Sequence, residues 1–162
     1  MDKDFFPENI SPPVKRTSKE LDASVDGLVS RCRAAGMNMT PQRLGIYRAL
    51  LESYDHPSPE ALYERVRPKM PSISLATIYK TLDTLVDLGF ASELPSTGDT
   101  KRYDANMDRH HHLVCRSCNA VEDFDDAALS AVQAPRRLNG FQPEYLSIHV
   151  HGLCRRCCQA KA

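Results

Sequence analysis

An α+β fold is predicted for this 162-residue chain: an N-terminal winged helix-turn-helix followed by a small C-terminal α/β unit with a structural zinc. Three observations predict it. Four helical patterns, each with its own start or stop signal, occupy the first half. A β-hairpin pattern follows them directly. Two Cys-x-x-C pairs, Cys115/Cys118 and Cys154/Cys157, then bracket the rest of the chain.

Residues 1–18 are rich in proline and charge and read as a flexible arm. From Leu21 to Gly36, Val25, Leu28, Val29 and Cys32 recur at helical spacing, with Gly36 as a stop. "TPQRLGIYRALLES" offers Thr40 as N-cap, Pro41 in the first turn and Leu44, Tyr47, Leu50 and Leu51 as a buried stripe. "SPEALYERV" repeats the device with Ser58 and Pro59, and Glu60 lies near the positive helix end. Ser74 caps a fourth helix whose apolar face is Ile78, Leu82, Leu85 and Val86, ending at Gly89.

The period then changes. "FASELPSTGDTKRYDAN" reads as two short strands around a turn at Thr97-Gly98-Asp99. Four helices and a hairpin in this order are those of a winged helix-turn-helix, in which the helix before the wing enters the DNA major groove. Residues 19–104 form this expected domain and 105–162 the second. In the latter, "HHLVC" and "AVEDF" suggest strands on either side of the Cys115–Cys118 turn. A short helix starts at Asp125 or Asp126, and "EYLSIHVHGLC" is a third strand after Asn139-Gly140. A unit of this size is near the limit at which a core suffices alone, and a structural metal is a common remedy.

Composition narrows the function. Hydrophobic content of 41% with 26% charge is globular. No apolar run approaches the roughly 20 residues of a membrane span. The N-terminus lacks the basic start and apolar core of a secretory signal, so a cytoplasmic location is expected. Net charge is zero, although bases outnumber acids between Arg31 and Lys80.

In a reducing compartment, paired cysteines bind metal or do redox chemistry. Nothing around either pair has a thioredoxin-like βαβ pattern, and four thiolates on two tight turns suit tetrahedral zinc. Cys158 is expected to point away from the metal, and Cys32 to be a small core residue. His110 and His112, two apart in a strand, project from one face and His111 from the other. With carboxylates available at Asp104 and Asp123, a second site for divalent iron, manganese or zinc is plausible, and the donor types alone do not choose among them. A zinc hydrolase or deaminase is disfavoured, because no open metal position stands beside a general base. No enzymatic activity is expected. A zinc-stapled adaptor that binds no DNA is a further reading the residues allow.

"MTPQRLGIYRALLE", "DHPSPEALYERV", "SLATIYKTLDTLVDLG", "KRYDANMDRHHHLVCRSC", "VEDF" and "HGLCRRCC" resemble, in order, the motifs of the ferric uptake regulator superfamily over about residues 20 to 158. The resemblance implies a homodimeric, winged-helix repressor of double-stranded operator DNA with a C-terminal dimerisation domain and no membrane partner. It assigns Cys115, Cys118, Cys154 and Cys157 to structural zinc. It assigns His56, Asp104, His110, His112 and Asp123 to a regulatory site for Fe(II) or Mn(II) that clamps the two domains.

It also implies DNA contacts from Arg43, Thr77, Tyr79 and Lys80, with Asn38 standing where relatives often carry a base. A third site of some relatives falls on Arg109, His111, Ser130 and Leu146, and Arg109 and Leu146 offer no ligand. His111 is therefore expected at the surface, while His149 and His151 share a strand face. Both regulatory carboxylates are aspartates, as in the peroxide-sensing branch, where iron-uptake regulators usually have glutamates. The expected signal is peroxide, oxidising His56 or His110; iron-responsive repression of uptake genes is the alternative, with zinc or manganese sensing behind it.

Overall fold

The computed structural model describes residues 16–94, 100–133, 139–143 and 146–160. The chain divides into two compact units, Lys15–Asp108 and a second that contains Arg109–Ala162. Most of the expected arm, the turn at Thr97-Gly98-Asp99 and parts of the segments flanking Asn139-Gly140 lie outside the described residues.

The first unit contains α1 (Ser18–Ala34), α2 (Pro41–Leu51), α3 (Pro59–Val66) and α4 (Leu75–Asp87), then β1 (Ser92–Leu94) and β2 (Arg102–Asp104). The caps at Thr40, Ser58 and Ser74 are as expected, each side-chain oxygen accepting from the backbone N–H three residues on. α1 begins ahead of Leu21, inside the segment read as an arm. Thr17 and Glu20 form a reciprocal capping box there, which satisfies two otherwise orphaned N–H groups; apolar spacing alone did not reveal it. Gly89 takes φ +73° just after α4, a left-handed stop that costs glycine little.

Leu28 and Cys32 of α1, Ile46, Leu50 and Leu51 of α2, Leu62 of α3, and Ile78, Leu82 and Leu85 of α4 meet in one buried core. At about 1.5–3 kcal/mol for each large apolar side chain, this burial is the main force holding the unit together. Tyr47 closes one side, edge-on to Phe90 with ring centroids 5.9 Å apart. β1 and β2 pair antiparallel, with Ser92 opposite Asp104 and Leu94 opposite Arg102. This is the helix–hairpin order of a winged helix.

The second unit contains β3 (His111–Cys115), β4 (Val121–Phe124), α5 (Ala127–Ser130), β5 (His149–Gly152) and α6 (Arg155–Gln159). Its sheet has the order β4-β3-β5, antiparallel on one side and parallel on the other. Asn119 turns the chain at φ +56°, a conformation asparagine tolerates. The Asn119 N–H donates to the Cys115 carbonyl at 2.8 Å, and the Cys115 N–H to that of Ala120, also at 2.8 Å. α6 was not expected. Cys154 is its N-cap, and the Cys154 carbonyl accepts from the Cys158 N–H at 2.9 Å, so Cys157 lies in its first turn. No helix among the described residues is long and apolar enough to cross a membrane.

Candidate metal centres and nucleic-acid face

The two Cys-x-x-C pairs converge. β3 delivers Cys115 at its end and Cys118 on the following turn; β5 leads into Cys154 and α6 carries Cys157. Their four sulfurs lie within 4.8 Å of one another, and Cys118 Sγ is 3.7 Å from Cys154 Sγ. Sulfurs of a tetrahedral zinc thiolate, with bonds of about 2.3 Å, stand about 3.8 Å apart. The donor set therefore fits that ion.

The thiols also influence one another. Burial opposes ionisation of Cys115, but the N–H groups of Cys154, Cys118 and Ser117 outweigh it and bring the thiol down to about 6. The Ala120 N–H likewise lowers Cys118. Ser117 lowers Cys157, yet the neighbouring Cys118 and Cys154 outweigh it and push that thiol up to about 11. Four sulfurs this close can all ionise only around a shared cation. Cys158 lies outside the set with its sulfur 3.5 Å from the Leu153 carbonyl, and Cys32 is buried in the helical core; both match their expected roles.

Within the same unit, a second group of donors comes together on the sheet. His110 precedes β3 by one residue and His112 lies within it, so their rings share a side. Their Nε2 atoms are 2.9 Å apart. Asp123, opposite His112 in the register of β3 and β4, brings Oδ1 to 3.4 Å from His110 Nε2 and 3.5 Å from His112 Nε2. Neighbouring ligands around a first-row divalent ion, with bonds of about 2.1 Å, lie about 3 Å apart. Two imidazoles and a carboxylate fit such an ion without rearranging the strands.

His149, opposite His112 in the parallel register, stacks on the His112 ring with centroids 5.1 Å apart and planes 12° from parallel. Ser147 Oγ is 2.7 Å from its Nε2. Burial, with the other histidines of the strand pair, keeps His149 more easily neutral than usual.

His111 corrects an expectation. It is fully buried, with Nε2 3.1 Å from Ser130 Oγ and its ring 5.6 Å from that of Phe124. Ser130 at the end of α5 and Phe124 of β4 stand against it, so the residue pointing away from His110 and His112 does not reach solvent. Arg109, at one of the non-ligating positions, donates to the Val132 carbonyl.

The first unit carries its own imidazole–carboxylate pair. His56 follows α2 and Asp104 ends β2; His56 Nδ1 and Asp104 Oδ1 are 3.6 Å apart, and both side chains are buried. The nucleic-acid candidates lie elsewhere on this unit. Tyr79 and Lys80 are exposed on α4, and Thr77 Oγ1 shares a hydrogen bond with the Ser74 cap at 2.8 Å. Arg43 Nη1 donates to the Asn38 carbonyl at 3.2 Å. The Tyr79 hydroxyl donates to Glu60 Oε1 at 2.5 Å, and that bond raises the phenol and lowers the carboxyl. In the sequence Glu60 is only a helix-end charge, because nothing local pairs it with a residue on the next helix.

Sequence comparison decides the family. The ferric uptake regulator family model matches residues 34–151. The chain belongs to the ferric uptake regulator family. It is 32% identical over 140 residues to the peroxide-responsive repressor PerR of Staphylococcus epidermidis, covering 86% of this chain and 93% of that one. The peroxide stress regulator of Campylobacter jejuni is 31% identical, with a TM-score of 0.64 over 82% of this chain and 98% of its own. The Helicobacter pylori ferric uptake regulator, at 22% identity, shares the fold with a TM-score of 0.68 over 88% of this chain and 96% of its own. The chain is thus a metal-responsive transcriptional regulator of this family, built as a winged helix followed by a small α/β domain.

Proposed function

We propose that the protein is a cytoplasmic, homodimeric repressor that binds double-stranded operator DNA when metal-loaded and releases it on peroxide stress. Zinc on Cys115, Cys118, Cys154 and Cys157 would hold the C-terminal domain in shape. Fe(II) or Mn(II) would take His56 and Asp104 from the first unit, and His110, His112 and Asp123 from the second. Arg43, Thr77, Tyr79 and Lys80 would face the DNA.

The observation that carries the reading is the convergence of His110, His112 and Asp123 on one point. Its carboxylate, like that of Asp104, is the shorter of the two acidic side chains. Mixed nitrogen and oxygen donors suit divalent iron or manganese, and the short carboxylates recur in the peroxide-sensing branch. The naming of two relatives for peroxide response supports the same signal. Ferrous iron held by these residues would supply the redox chemistry by which one oxygen atom of peroxide adds to a ligand imidazole and the other leaves as water. An imidazole altered in this way at His56 or His110 is a poorer ligand. The dimer shape that fits successive major grooves is then no longer selected.

Operator binding with Mn(II) and with Fe(II), each before and after mild peroxide, tests this. Loss of binding in the iron form alone, with one oxygen added to the His56 or His110 peptide by mass spectrometry, is the expected result. Binding that persists in the oxidant-treated iron form, with both peptides unmodified, defeats peroxide sensing and leaves iron-responsive repression.

A further inference from the structure

His56 occupies a backbone conformation that its neighbours do not favour. Its φ is +47°, in the left-handed region where a side chain meets the following carbonyl. It also precedes Pro57, and the proline ring pushes the preceding residue toward extended geometry. A histidine in that position persists only where surrounding contacts over-determine it.

Those contacts come from three consecutive residues of β2. Arg102 Nη1 donates to the His56 carbonyl at 2.9 Å and lies 3.5 Å from that of Asp55. The Tyr103 N–H donates to the Pro57 carbonyl at 3.2 Å. Asp104 then faces the His56 imidazole itself. Arg65 pins the start of the turn through a paired contact with the Asp55 carboxylate. Arg102 reaches the His56 backbone directly, and its cationic N–H makes the strongest class of bond available to a carbonyl.

We infer that Arg102 is a positioning residue for the regulatory metal, fixing the left-handed turn so that the His56 imidazole is held toward Asp104. The inference rests on the reading of His56 as a metal ligand. Without the Arg102 contact, the turn relaxes toward the extended form favoured before proline and carries the imidazole away from its partner. The metal must then restore the turn as it binds, and affinity falls. Arg102 belongs to the wing strand, so the same contacts tie the ligand turn to β2.

The test is calorimetric titration of Mn(II) into zinc-loaded, full-length protein. Arg102→Met keeps most of the apolar stem and removes the donors. It is expected to weaken Mn(II) binding by about 10–100-fold, as loss of a partner that orients a ligand does, with zinc content and helicity unchanged. At saturating Mn(II), operator binding returns to the wild-type level, which a merely damaged fold would not allow. Arg102→Lys keeps one donor without the fork and should lie between the two; it carries the test alone if Arg102→Met does not fold.

His56→Ala separates the two layers. If His56→Ala weakens Mn(II) binding and neither Arg102 variant does, the positioning role is overturned. If His56→Ala itself leaves Mn(II) binding unchanged, the assignment of His56 as a ligand falls, and the inference with it.

Discussion

Removing the zinc should unfold the C-terminal unit and leave the N-terminal one standing. Among the described residues, the buried hydrophobic side chains of the second unit are Val114, Cys115 and Val121. Two buried valines contribute roughly 3–6 kcal/mol. A structural zinc on thiolates contributes about 10–16 kcal/mol to folding at neutral pH, so the ion outweighs the apolar core. The first unit is built the other way, with Leu28, Ile46, Leu50, Leu62, Ile78, Leu82 and Leu85 all buried together. Cys118→Ser is the perturbation to use, since Cys118 Sγ is the sulfur placed 3.7 Å from Cys154 and serine supplies no thiolate.

The assay is zinc content per chain together with hydrogen exchange read by mass spectrometry. Zinc should fall from about one per chain to near none, because affinity lost with one thiolate is folding energy lost with it. Amides of β3, β4 and β5 should exchange freely while those of α2 and α4 stay protected. Far-UV ellipticity should change little, as among the described residues the long helices lie in the first unit. Wild-type protection of β3 in a zinc-free protein at the same concentration would refute the reasoning, because an apolar core would then suffice.

Leu82, fully buried in α4, should cost about 2–5 kcal/mol as Leu82→Ala, read as a lower urea midpoint for the helical signal with zinc content unchanged. Glu60→Gln should let the Tyr79 phenol ionise at lower pH, since the Glu60 bond is the first cause of its raised value, and absorbance titration checks this. Asp55 is held below the usual carboxylate range, first by its hydrogen bonds to Arg65. Its stabilisation is therefore present above the ordinary aspartate value of about 3.9 and is lost as pH falls through the lower folded value. Both side chains are partly exposed, so Asp55→Asn should cost only about 0.2–1 kcal/mol near neutrality, and the difference from wild type should vanish in acid urea titrations.

The helical half was legible because its signals are local. Ser74 followed by an apolar face and then Gly89 marks a helix from residues within one element, and the structure repeats that reading closely. The convergence of the four cysteines was legible for a related reason, as Cys-x-x-C spacing declares each half of the cluster. What the sequence did not show depends on partners far along the chain. His111 was expected at the surface because its ligand role was ruled out, yet Ser130 and Phe124 bury it. Nothing next to Arg102 in the chain marks it out; its partner lies 46 residues earlier, at the His56 carbonyl. The Thr17–Glu20 box is a local signal, but it lies ahead of the first apolar residue of α1 and so outside the apolar period.

Strand pairing explains why the two donor groups of the second unit occur together. Cys115 stands opposite Gly152 in the parallel pair, two residues before Cys154, so the register that brings the cysteines within reach is fixed at that end. The same register sets His112 opposite His149, and the antiparallel pairing on the other side sets it opposite Asp123. A slip of one residue would turn every side chain of β3 to the other face. His112 would then exchange places with His111, putting an imidazole against Phe124 that belongs beside Asp123. A zinc held on those cysteines would therefore do more than stabilise a small unit: it would select the one register in which His110, His112 and Asp123 can share an ion. Loss of zinc should abolish that donor set even though none of its residues touches a cysteine ligand in the sequence.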